Sequence, residues 1–366
     1  MKRGSGSESR QRIRSKRAEK RNRKHHYYAN RLYVRVVESG LSDKVGEIAA
    51  KYGTEVNVQY GHVSISAPEV LDLQEAGEAT IGFLQTIREV VQLSPPTIGV
   101  TMQHIRRMSP TCALLFASEM DRMKRIHGGR HTIPADGFWD PGIKRMLNEI
   151  GVFELVGVDN MPEPQTPITA ERYISIRSAD IVDMERALRS LMTEVAAIAT
   201  FVKATPKLYG AISEAITNVR QWAYKDIQYQ VPKQVFDRWW FLASYNEDKK
   251  RFSILVFDHG QGIPATLRRL GWEVLKNFLH SSLFSDADAI EAAFKNPRSA
   301  TGEKNRGKGL REMRNLLDKF SKGTLRVVSG KGEYFYDCEN GGVEKRLYKH
   351  DIGGTLVAWE IYESDG

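Results

Sequence analysis

The chain has 366 residues, of which 41% are hydrophobic and 27% charged, a composition typical of soluble proteins with room for two hydrophobic cores. Its two cysteines, Cys112 and Cys338, exclude a disulfide framework and favour a reducing, cytoplasmic location. No apolar run is long enough to span a bilayer, so we expect no membrane partner.

The positive charge is concentrated at one end of the sequence. Residues 1–24 contain eleven Lys or Arg and two acidic residues, which accounts for the net charge of +9 of the whole chain. We therefore expect residues 1–29 to form a basic, disordered tail, as charge-rich segments with few apolar residues do. The alternative is an arm that binds nucleic acid by displacing counterions from its phosphates. The lack of aromatic residues among these charges favours the disordered tail.

Residues 30–160 are predicted to form an α/β domain, because apolar periodicity and turn residues indicate strands and helices in alternation. In chain order we expect a strand at 32–37, a helix at 41–53 ending at Gly53, a hairpin at 55–66, a helix near 69–93, a strand at 97–102, a helix beginning near Ser109 and Pro110, and a helix at 143–151 followed by a strand to 158. No catalytic cluster is recognisable in this domain.

Two segments of this domain, 98–120 and 143–156, resemble the STAS domain, the small fold of anti-sigma-factor antagonists. The resemblance rests on the spacing of hydrophobic residues. In that family a Ser or Thr at the start of the central helix can be phosphorylated, and Ser109 and Thr111 stand near that position. The acidic-Ser-Gly signature of the family is absent. An ordinary buried α/β layer is therefore the preferred interpretation, and we assign no site here.

A Pro-rich stretch, MPEPQTPIT, predicts a linker at 161–170 and a second domain over 171–366. The first elements expected in this domain are a helix at 183–205, a helix at 207–224, and a hairpin of strands at 238–246 and 251–258.

The helix predicted at 207–224 carries a candidate pair of polar residues. Its apolar residues recur at helical spacing and indicate one buried stripe. Glu214 and Asn218 lie beside that stripe, one turn apart on the same face. An acid and an amide in this arrangement could hold a water molecule and a metal ion at adjacent points. A solvated helix face is the alternative interpretation of this pair.

The strand predicted at 251–258 is expected to be buried on both faces, because SILVF is a continuous apolar run. It ends in Asp258, and Gly260 and Gly262 follow. A carboxylate at the end of a buried strand can accept a hydrogen bond from an amino group, while the glycines let a flat ring approach the backbone. An ordinary Asp/Gly turn is the alternative.

The stretch TGEKNRGKGL, residues 301–310, is a candidate phosphate-binding segment. It fits most of the P-loop pattern G-x-x-x-x-G-K-[ST], but Gly309 stands where a Ser or Thr should bind Mg²⁺. A polar segment broken by Pro297 precedes it, whereas a P-loop follows a buried strand. The helix predicted at 309–320 gives the glycines another role, because backbone N–H groups at the start of a helix can bind an anion.

Four short patterns follow one another in the second domain: E-x-x-x-N on a helix, D-x-G-x-G after a strand, G-x-G before a helix, and G-G-T at 353–355, within the strand segment 351–362. In this order they resemble the four nucleotide-binding boxes of the GHKL ATPase superfamily, which includes gyrase, MutL and the histidine kinases. The resemblance covers residues 180–362. It implies an α/β fold of the Bergerat type, an α+β sandwich whose mixed sheet is covered by helices on one face, and it implies binding of ATP and Mg²⁺.

The resemblance also implies a role for each matching residue. Glu214 would be the general base that orients the attacking water, and Asn218 would bind the Mg²⁺ that bridges the phosphates. Asp258 would hold the amino group of adenine. Gly260 and Gly262 would shape the adenine pocket.

The remaining predicted contacts surround the phosphates and the base. The predicted phosphate segment consists of Arg306, Gly307, Lys308, Gly309 and Leu310. Its glycines would donate backbone N–H groups to the phosphates, and its Arg and Lys would be either phosphate partners or solvated loop charges. Thr355 would contact the adenine side of the nucleotide through its hydroxyl. Residues 264–306 would form a lid that closes over ATP.

We therefore expect a cytoplasmic, Mg²⁺-dependent ATPase whose lid closure changes the conformation of the N-terminal domain or of a protein partner. One alternative is a serine/threonine protein kinase resembling the anti-sigma-factor kinases, suggested by the STAS-like segments. Another is an ATP-gated regulator that binds nucleic acid through residues 1–24. His25 and His26 lack the helical frame of a histidine-kinase acceptor, which argues against a sensor kinase. A homodimer is expected by analogy with many relatives.

Overall fold

The computed structural model describes residues 40–128, 131–132, 140–157, 171–180, 184–198, 206–225, 237–269, 284–295 and 309–363. Four predicted features lie outside them: the basic tail at 1–29, the strand at 32–37, the linker at 161–170 and residues 306–308. The described part combines helices and sheets, as the sequence predicts. None of its helices has the length and hydropathy needed to cross a bilayer.

The N-terminal part contains a small mixed sheet. The strands of this part are β1 (Val56–Gln59), β2 (His62–Ser66), β3 (Val70–Leu71), β4 (Thr97–Thr101), β5 (Arg107–Met108) and β6 (His131–Thr132). Within the described ranges, four of them form the sheet in the order β1-β2-β4-β6. The predicted hairpin is β1–β2, which is antiparallel, whereas β2–β4 and β4–β6 are parallel.

Five helices are described in this part, and two of them begin or end at the predicted residue. They are α1 (Leu41–Tyr52), α2 (Gly77–Gln92), α3 (Pro110–His127), α4 (Pro141–Glu149) and α5 (Val152–Val156). Gly53 ends α1 in the left-handed region, with φ at 66°. Ser109 caps α3, because its hydroxyl accepts a hydrogen bond from the backbone N–H of Cys112 at 3.3 Å.

Two predictions for the N-terminal part are wrong. The helix expected near 69–93 begins only at α2, because the preceding residues include β3, which pairs in parallel with β5. The strand expected after Gly151 is the helix α5. Glycines in the left-handed region, Gly151 and Gly157, enclose its five residues. An apolar run this short is compatible with either structure in sequence, and here the spacing of its buried residues fits a helix face.

The C-terminal part is built on one large sheet. Its described strands are β7 (Glu171–Asp180), β8 (Arg238–Asn246), β9 (Arg251–Asp258), β10 (Gly323–Ser329), β11 (Gly332–Asp337), β12 (Val343–Leu347) and β13 (Thr355–Tyr362). They lie in the order β12-β11-β10-β13-β9-β8-β7. Every described pair is antiparallel, so the expectation of a mixed sheet is wrong for these strands. The physical reason is that β13 enters between β9 and β10 and runs opposite to both.

The helices described in the C-terminal part are α6 (Met184–Ile198), α7 (Pro206–Asn218), α8 (Gly262–Arg269), α9 (Asp286–Lys295) and α10 (Gly309–Asn315). The predicted helix at 207–224 is α7 followed directly by a π-helix, Val219–Ala223. The predicted helix at 309–320 is shorter than expected, because α10 ends at Asn315 and a 3₁₀ turn follows.

Both faces of the large sheet are buried at its inner strand β9. On β9, Phe252, Ile254 and Val256 join a core that includes residues of α7. The alternate residues Leu255 and Phe257 join the core formed by α2 and α3. Helices of the C-terminal part therefore cover one face and the N-terminal helices cover the other, whereas the sequence predicts helices on one face only.

The packing of α2 against α1 can be tested at Gly82. A methyl group on Gly82 would lie 2.5 Å from the backbone oxygen of Tyr52. We therefore expect Gly82→Ala to lower the free energy of unfolding by about 1–3 kcal/mol through overpacking. Gly46, an exposed helical glycine of α1 with no atom within 4 Å of such a methyl group, is the control. Gly46→Ala should stabilise the chain by about 0.5–1 kcal/mol in the same denaturant titration. Equal effects of the two substitutions would contradict this packing.

Candidate functional site

The predicted acid and amide lie on α7. Glu214 and Asn218 are half-buried, one turn apart, beside the buried apolar stripe of the helix. The helix continues beyond Asn218 as the π-helix 219–223, a feature frequent at functional sites. Burial raises the pKa of Glu214, and the carboxylate of Glu312 raises it further. A carboxylate with a raised pKa is a stronger proton acceptor, so Glu214 is suited to act as a base.

Gly309, the first residue of α10, brings the predicted phosphate segment to this pair. A methyl group on Gly309 would overlap Oε2 of Glu214 and would lie 3.6 Å from Nδ2 of Asn218. Glycine at this position therefore allows α10 to begin directly against both side chains. The side chain of Leu310 packs against the core beside α7, so any contact of Leu310 with a ligand would come from its backbone. Three residues of the segment lie outside the described ranges: Arg306, Gly307 and Lys308.

Asp258 is the last residue of β9 and is 5% exposed. Its Oδ1 accepts a hydrogen bond from the backbone N–H of Gly260 at 2.7 Å. Burial raises the pKa of Asp258 to about 7, and the hydrogen bond from Gly260 acts in the opposite direction. A ligand group that donates a hydrogen bond to this carboxylate would favour its ionised form. Asp258 is therefore a buried acceptor suited to an amino group.

The 258–262 loop is fixed against the end of the helical segment that carries Glu214 and Asn218. The α-carbon of Gly260 lies against Ala223, and a methyl group there would be 2.5 Å from the Ala223 backbone oxygen. The Gln261 backbone N–H donates to the same oxygen at 2.8 Å, and the Gln261 side-chain amide donates to the Trp222 oxygen at 2.8 Å. One helical segment, 206–223, thus contacts both the Gly309 position and the 258–262 loop.

The start of β13 lies beside Asp258. Thr355 is directly opposite Asp258 in the antiparallel pairing of β13 with β9. Gly354 precedes it with φ at 157°, and a methyl group on Gly354 would overlap the backbone oxygen of Asp258. The predicted G-G-T and D-x-G-x-G segments therefore meet backbone to backbone, which a larger residue at 354 would prevent.

Ser329 is a further residue of this region that sequence reasoning missed. It is fully buried at the end of β10, opposite Thr355. Its hydroxyl accepts a hydrogen bond from the Ile263 backbone N–H at 2.9 Å and lies 3.0 Å from the Thr355 hydroxyl. It therefore joins the beginning of α8, where Gly262 has φ at 83°, to the beginning of β13. The available signal in the sequence was a polar residue ending an apolar strand, just before Gly330.

Tyr224 was also missed, because its aromatic ring looks like one more member of the apolar stripe. Its hydroxyl donates to the backbone oxygen of Arg238 at 2.6 Å and accepts from the backbone N–H of His259 at 3.0 Å. Burial raises the pKa of Tyr224 well above its ordinary value, and the charge of Asp258 acts in the same direction. Tyr224 thus remains a protonated donor that holds the chain next to Asp258.

Part of the predicted lid is anchored to the sheet. Within 264–306, α9 packs Phe294 against the ring of Tyr334, with ring centroids 4.4 Å apart. The Asp286 carboxylate at the start of α9 accepts a hydrogen bond from the Lys331 backbone N–H at 2.8 Å. The segments 270–283 and 296–306 lie outside the described residues. The expectation that all of 264–306 forms a lid is therefore wrong for α9, because α9 belongs to the core of the domain.

The structure thus brings together Glu214, Asn218 and Gly309 on one side of the 206–223 segment, and Asp258, Gly260, Gly262 and Thr355 around its end. A scan against models of protein families gives no match, and a search of curated proteins gives none either. Among the described residues, no group of three or more His, Cys, Asp or Glu side chains is arranged to hold a metal ion.

The burial of Asp258 predicts a pH-dependent stability. The folded chain holds the pKa of Asp258 at about 7, so the unfolded chain loses its proton at lower pH. The stability that this proton contributes is complete below the unfolded pKa and is lost as the pH rises through about 7. Asn cannot ionise and keeps an acceptor for the Gly260 N–H. We compare the unfolding free energy of Asp258→Asn with that of wild type at each pH. The difference should favour the variant by about 2 kcal/mol more at pH 8 than at pH 5.5.

The matched control for this prediction is Asp248→Asn, because Asp248 is exposed in the turn between β8 and β9. Denaturant titrations of the three proteins at the two pH values give the comparison. If the unfolding free energies of Asp258→Asn and Asp248→Asn change by the same amount between pH 5.5 and pH 8, burial does not raise the pKa of Asp258.

Proposed function

We propose that this chain binds ATP with Mg²⁺ at the site formed by α7, the 258–262 loop, the start of α10 and the start of β13, and that it hydrolyses ATP there. The fold would be of the Bergerat type found in GHKL ATPases. The observation that carries the proposal is the position of Gly309, where an added methyl group would overlap the Glu214 carboxylate and lie 3.6 Å from Nδ2 of Asn218. Gly309 belongs to the G-x-G pattern, and Glu214 and Asn218 form the E-x-x-x-N pattern. The family resemblance assigns these two patterns to one nucleotide site.

The base of the nucleotide would bind beside Asp258. Its exocyclic amino group would donate a hydrogen bond to this buried carboxylate, which would lower the pKa of Asp258 by favouring the charged form. The close backbone contacts of Gly260 and Gly354 support a compact pocket wall at this end. Thr355, opposite Asp258 in the sheet, would contribute its hydroxyl on the same side.

The phosphates would extend toward the start of α10. Gly309 would donate its backbone N–H there, and the Asn218 side-chain oxygen would be the protein ligand of Mg²⁺. Mg²⁺ commonly takes one or two protein oxygens and completes its shell with phosphate and water, so a cluster of acidic ligands is not required. When bound, Mg²⁺ would offset the negative charge that develops on the phosphates.

Glu214 would act on the attacking water. Its carboxylate would accept a proton from the water as the water oxygen bonds to the terminal phosphorus and the bond to the leaving ADP oxygen breaks. The raised pKa of Glu214 supports this role, because it makes the carboxylate a better acceptor. Closure by the parts of 264–306 other than α9 would exclude bulk water from the reaction.

The proposal predicts different effects for the acid and the amide. Glu214→Gln keeps the size of the side chain but removes its basicity, so we expect ATP binding within about twofold of wild type and ADP production lower by about 100-fold or more. Asn218→Ala should weaken ATP binding in the presence of Mg²⁺ and leave adenosine binding unchanged. Calorimetric titration and an ADP-release assay on the full chain measure both quantities.

The control is Glu344→Gln on the exposed strand β12, which should retain the wild-type rate. Hydrolysis at the wild-type rate by Glu214→Gln would refute the assignment of the base. The assay also separates the alternative of a serine/threonine protein kinase. In that case, labelled terminal phosphate from ATP would be found on a protein and not as free phosphate.

A further inference from the structure

Helix α2 of the N-terminal part lies along the loop 348–354, which leads into β13. The Glu78 carboxylate accepts hydrogen bonds from the Lys349 backbone N–H at 2.9 and 3.1 Å. About two turns further along α2, the Gln85 side-chain amide donates to the Asp351 backbone oxygen at 2.5 Å. The side chains of α2 therefore bond to backbone groups of the loop that carries Gly353 and Gly354.

Arg88, near the end of α2, reaches both glycine-containing segments of the proposed site. Its Nη2 donates to Nδ1 of His259 at 2.9 Å, within the 258–262 loop. Its Nη1 occupies the space beside Gly353, where a methyl group would overlap it. Its Nε donates to Oε1 of Glu119 on α3 at 2.9 Å. One guanidinium thus joins two helices of the N-terminal part to two separate segments beside Asp258.

The alternation of side chains along β9 explains how Arg88 contacts the 258–262 loop from the face of the sheet opposite α7. Val256 belongs to the core beside α7, whereas Phe257 belongs to the core beside α2 and α3. The same alternation sends Asp258 toward the α7 side of the sheet and His259 toward the N-terminal helices. The His259 ring accordingly packs edge-on against Trp240, with ring centroids 4.8 Å apart, on the face opposite α7.

The cluster around Arg88 is buried and charged. The side chains of Glu119 and His259 are both 2% exposed, and that of Arg88 is 14% exposed. Burial acts to raise the pKa of Glu119, but the charges of Arg88 and Arg122 prevail and hold that pKa at about 2. Burial lowers the pKa of His259 to about 3, so its ring is neutral and Nδ1 is free of a proton to accept from Arg88.

We propose that Arg88 is a positioning residue of the nucleotide site: it holds the 258–262 loop and Gly353 in a single arrangement, and so couples ligand binding to the packing of α2 and α3. The ligand's identity in this statement rests on the proposed function, whereas the positioning of the two segments does not. Coupling of this kind is reciprocal, so a bound nucleotide stabilises the contact of the N-terminal helices with the sheet.

Arg88 acts on the end of the site that would hold the base, and this separates its effect from that of Asn218. In Arg88→Met, loss of the charged hydrogen bond to His259 and of the contact beside Gly353 should weaken adenosine and ATP binding equally, by about tenfold or more. Arg88→Lys should not restore the affinity, because a single ammonium group cannot span the three partners of the planar guanidinium. Arg106→Ala is the control, since Arg106 is a 79% exposed arginine of the N-terminal part.

A double substitution distinguishes positioning from a merely structural role. Arg88→Met alone leaves the Glu119 carboxylate buried without its main partner and is expected to lower the thermal midpoint. Arg88→Met combined with Glu119→Gln removes the charges of this pair, and the amide oxygen introduced at 119 can still accept from Arg122, whose Nη1 lies 3.3 Å from the Glu119 carboxylate, so part of that midpoint should be recovered. We expect adenosine affinity to stay about tenfold or more below wild type in the double variant. Recovery of affinity together with the midpoint would overturn the proposal.

Hydrogen exchange tests the same positioning without a ligand. In the double variant, backbone amides of 258–262 and 352–355 should exchange faster than in wild type, while those of β11 should not change. Unchanged exchange in both segments would overturn the proposal even when the wild-type chain binds no nucleotide. Wild-type protein that binds neither adenosine nor ATP refutes the proposed function instead, so the two failures are distinguishable.

Discussion

The burial of β9 on both faces is the constraint on which the other features depend. A strand covered on one face only would place every second residue in water. Here α7 covers one face and α2 and α3 cover the other, so consecutive residues of β9 enter two different cores. The same alternation continues past the end of the strand. It directs Asp258 toward α7 and His259 toward α2 and α3. The 258–262 loop therefore contacts helices on both faces of the sheet.

Close backbone contacts complete the candidate site. A β-carbon at Gly260 would clash with Ala223, one at Gly309 with the Glu214 carboxylate, and one at Gly354 with the backbone oxygen of Asp258. Each contact joins segments that are far apart in the chain, and each lacks room for a side chain. The Gln261 backbone N–H donates a hydrogen bond to the Ala223 oxygen, and the Ile263 backbone N–H donates one to the Ser329 hydroxyl. These two bonds hold the 258–262 loop on two sides. Rigid backbone supports of this kind are what a site needs to hold its polar groups in one geometry.

Much of the local structure could be predicted because its causes are local. Gly53 and Ser109 end and begin helices through their own backbone and side-chain chemistry, and the apolar run of β9 marks its burial. The errors have a common origin in distant contacts. The direction of β13 depends on pairing with β9, far earlier in the chain, and with β10, and the helix α5 is chosen by packing and not by its five-residue pattern. Tyr224 and Arg88 carry no signature, because an isolated Tyr or Arg gains its role only from the partners that the fold brings to it, and Ser329 is marked only as a polar residue at the end of an apolar strand.

The π-helix at 219–223 separates two functions of one helical segment. Glu214 and Asn218 precede it, whereas the carbonyls of Trp222 and Ala223, which accept hydrogen bonds from Gln261, lie within it. The wider turn contains one residue more than an α-helical turn of the same height. If the same residues formed a regular α-helix instead, the extra residue would rotate everything beyond it by about 100° around the helix axis. Those two carbonyls would then face away from the 258–262 loop while the acid and the amide kept their orientation. A single-residue change in helix register would thus uncouple the half of the site near Gly309 from the half near Asp258.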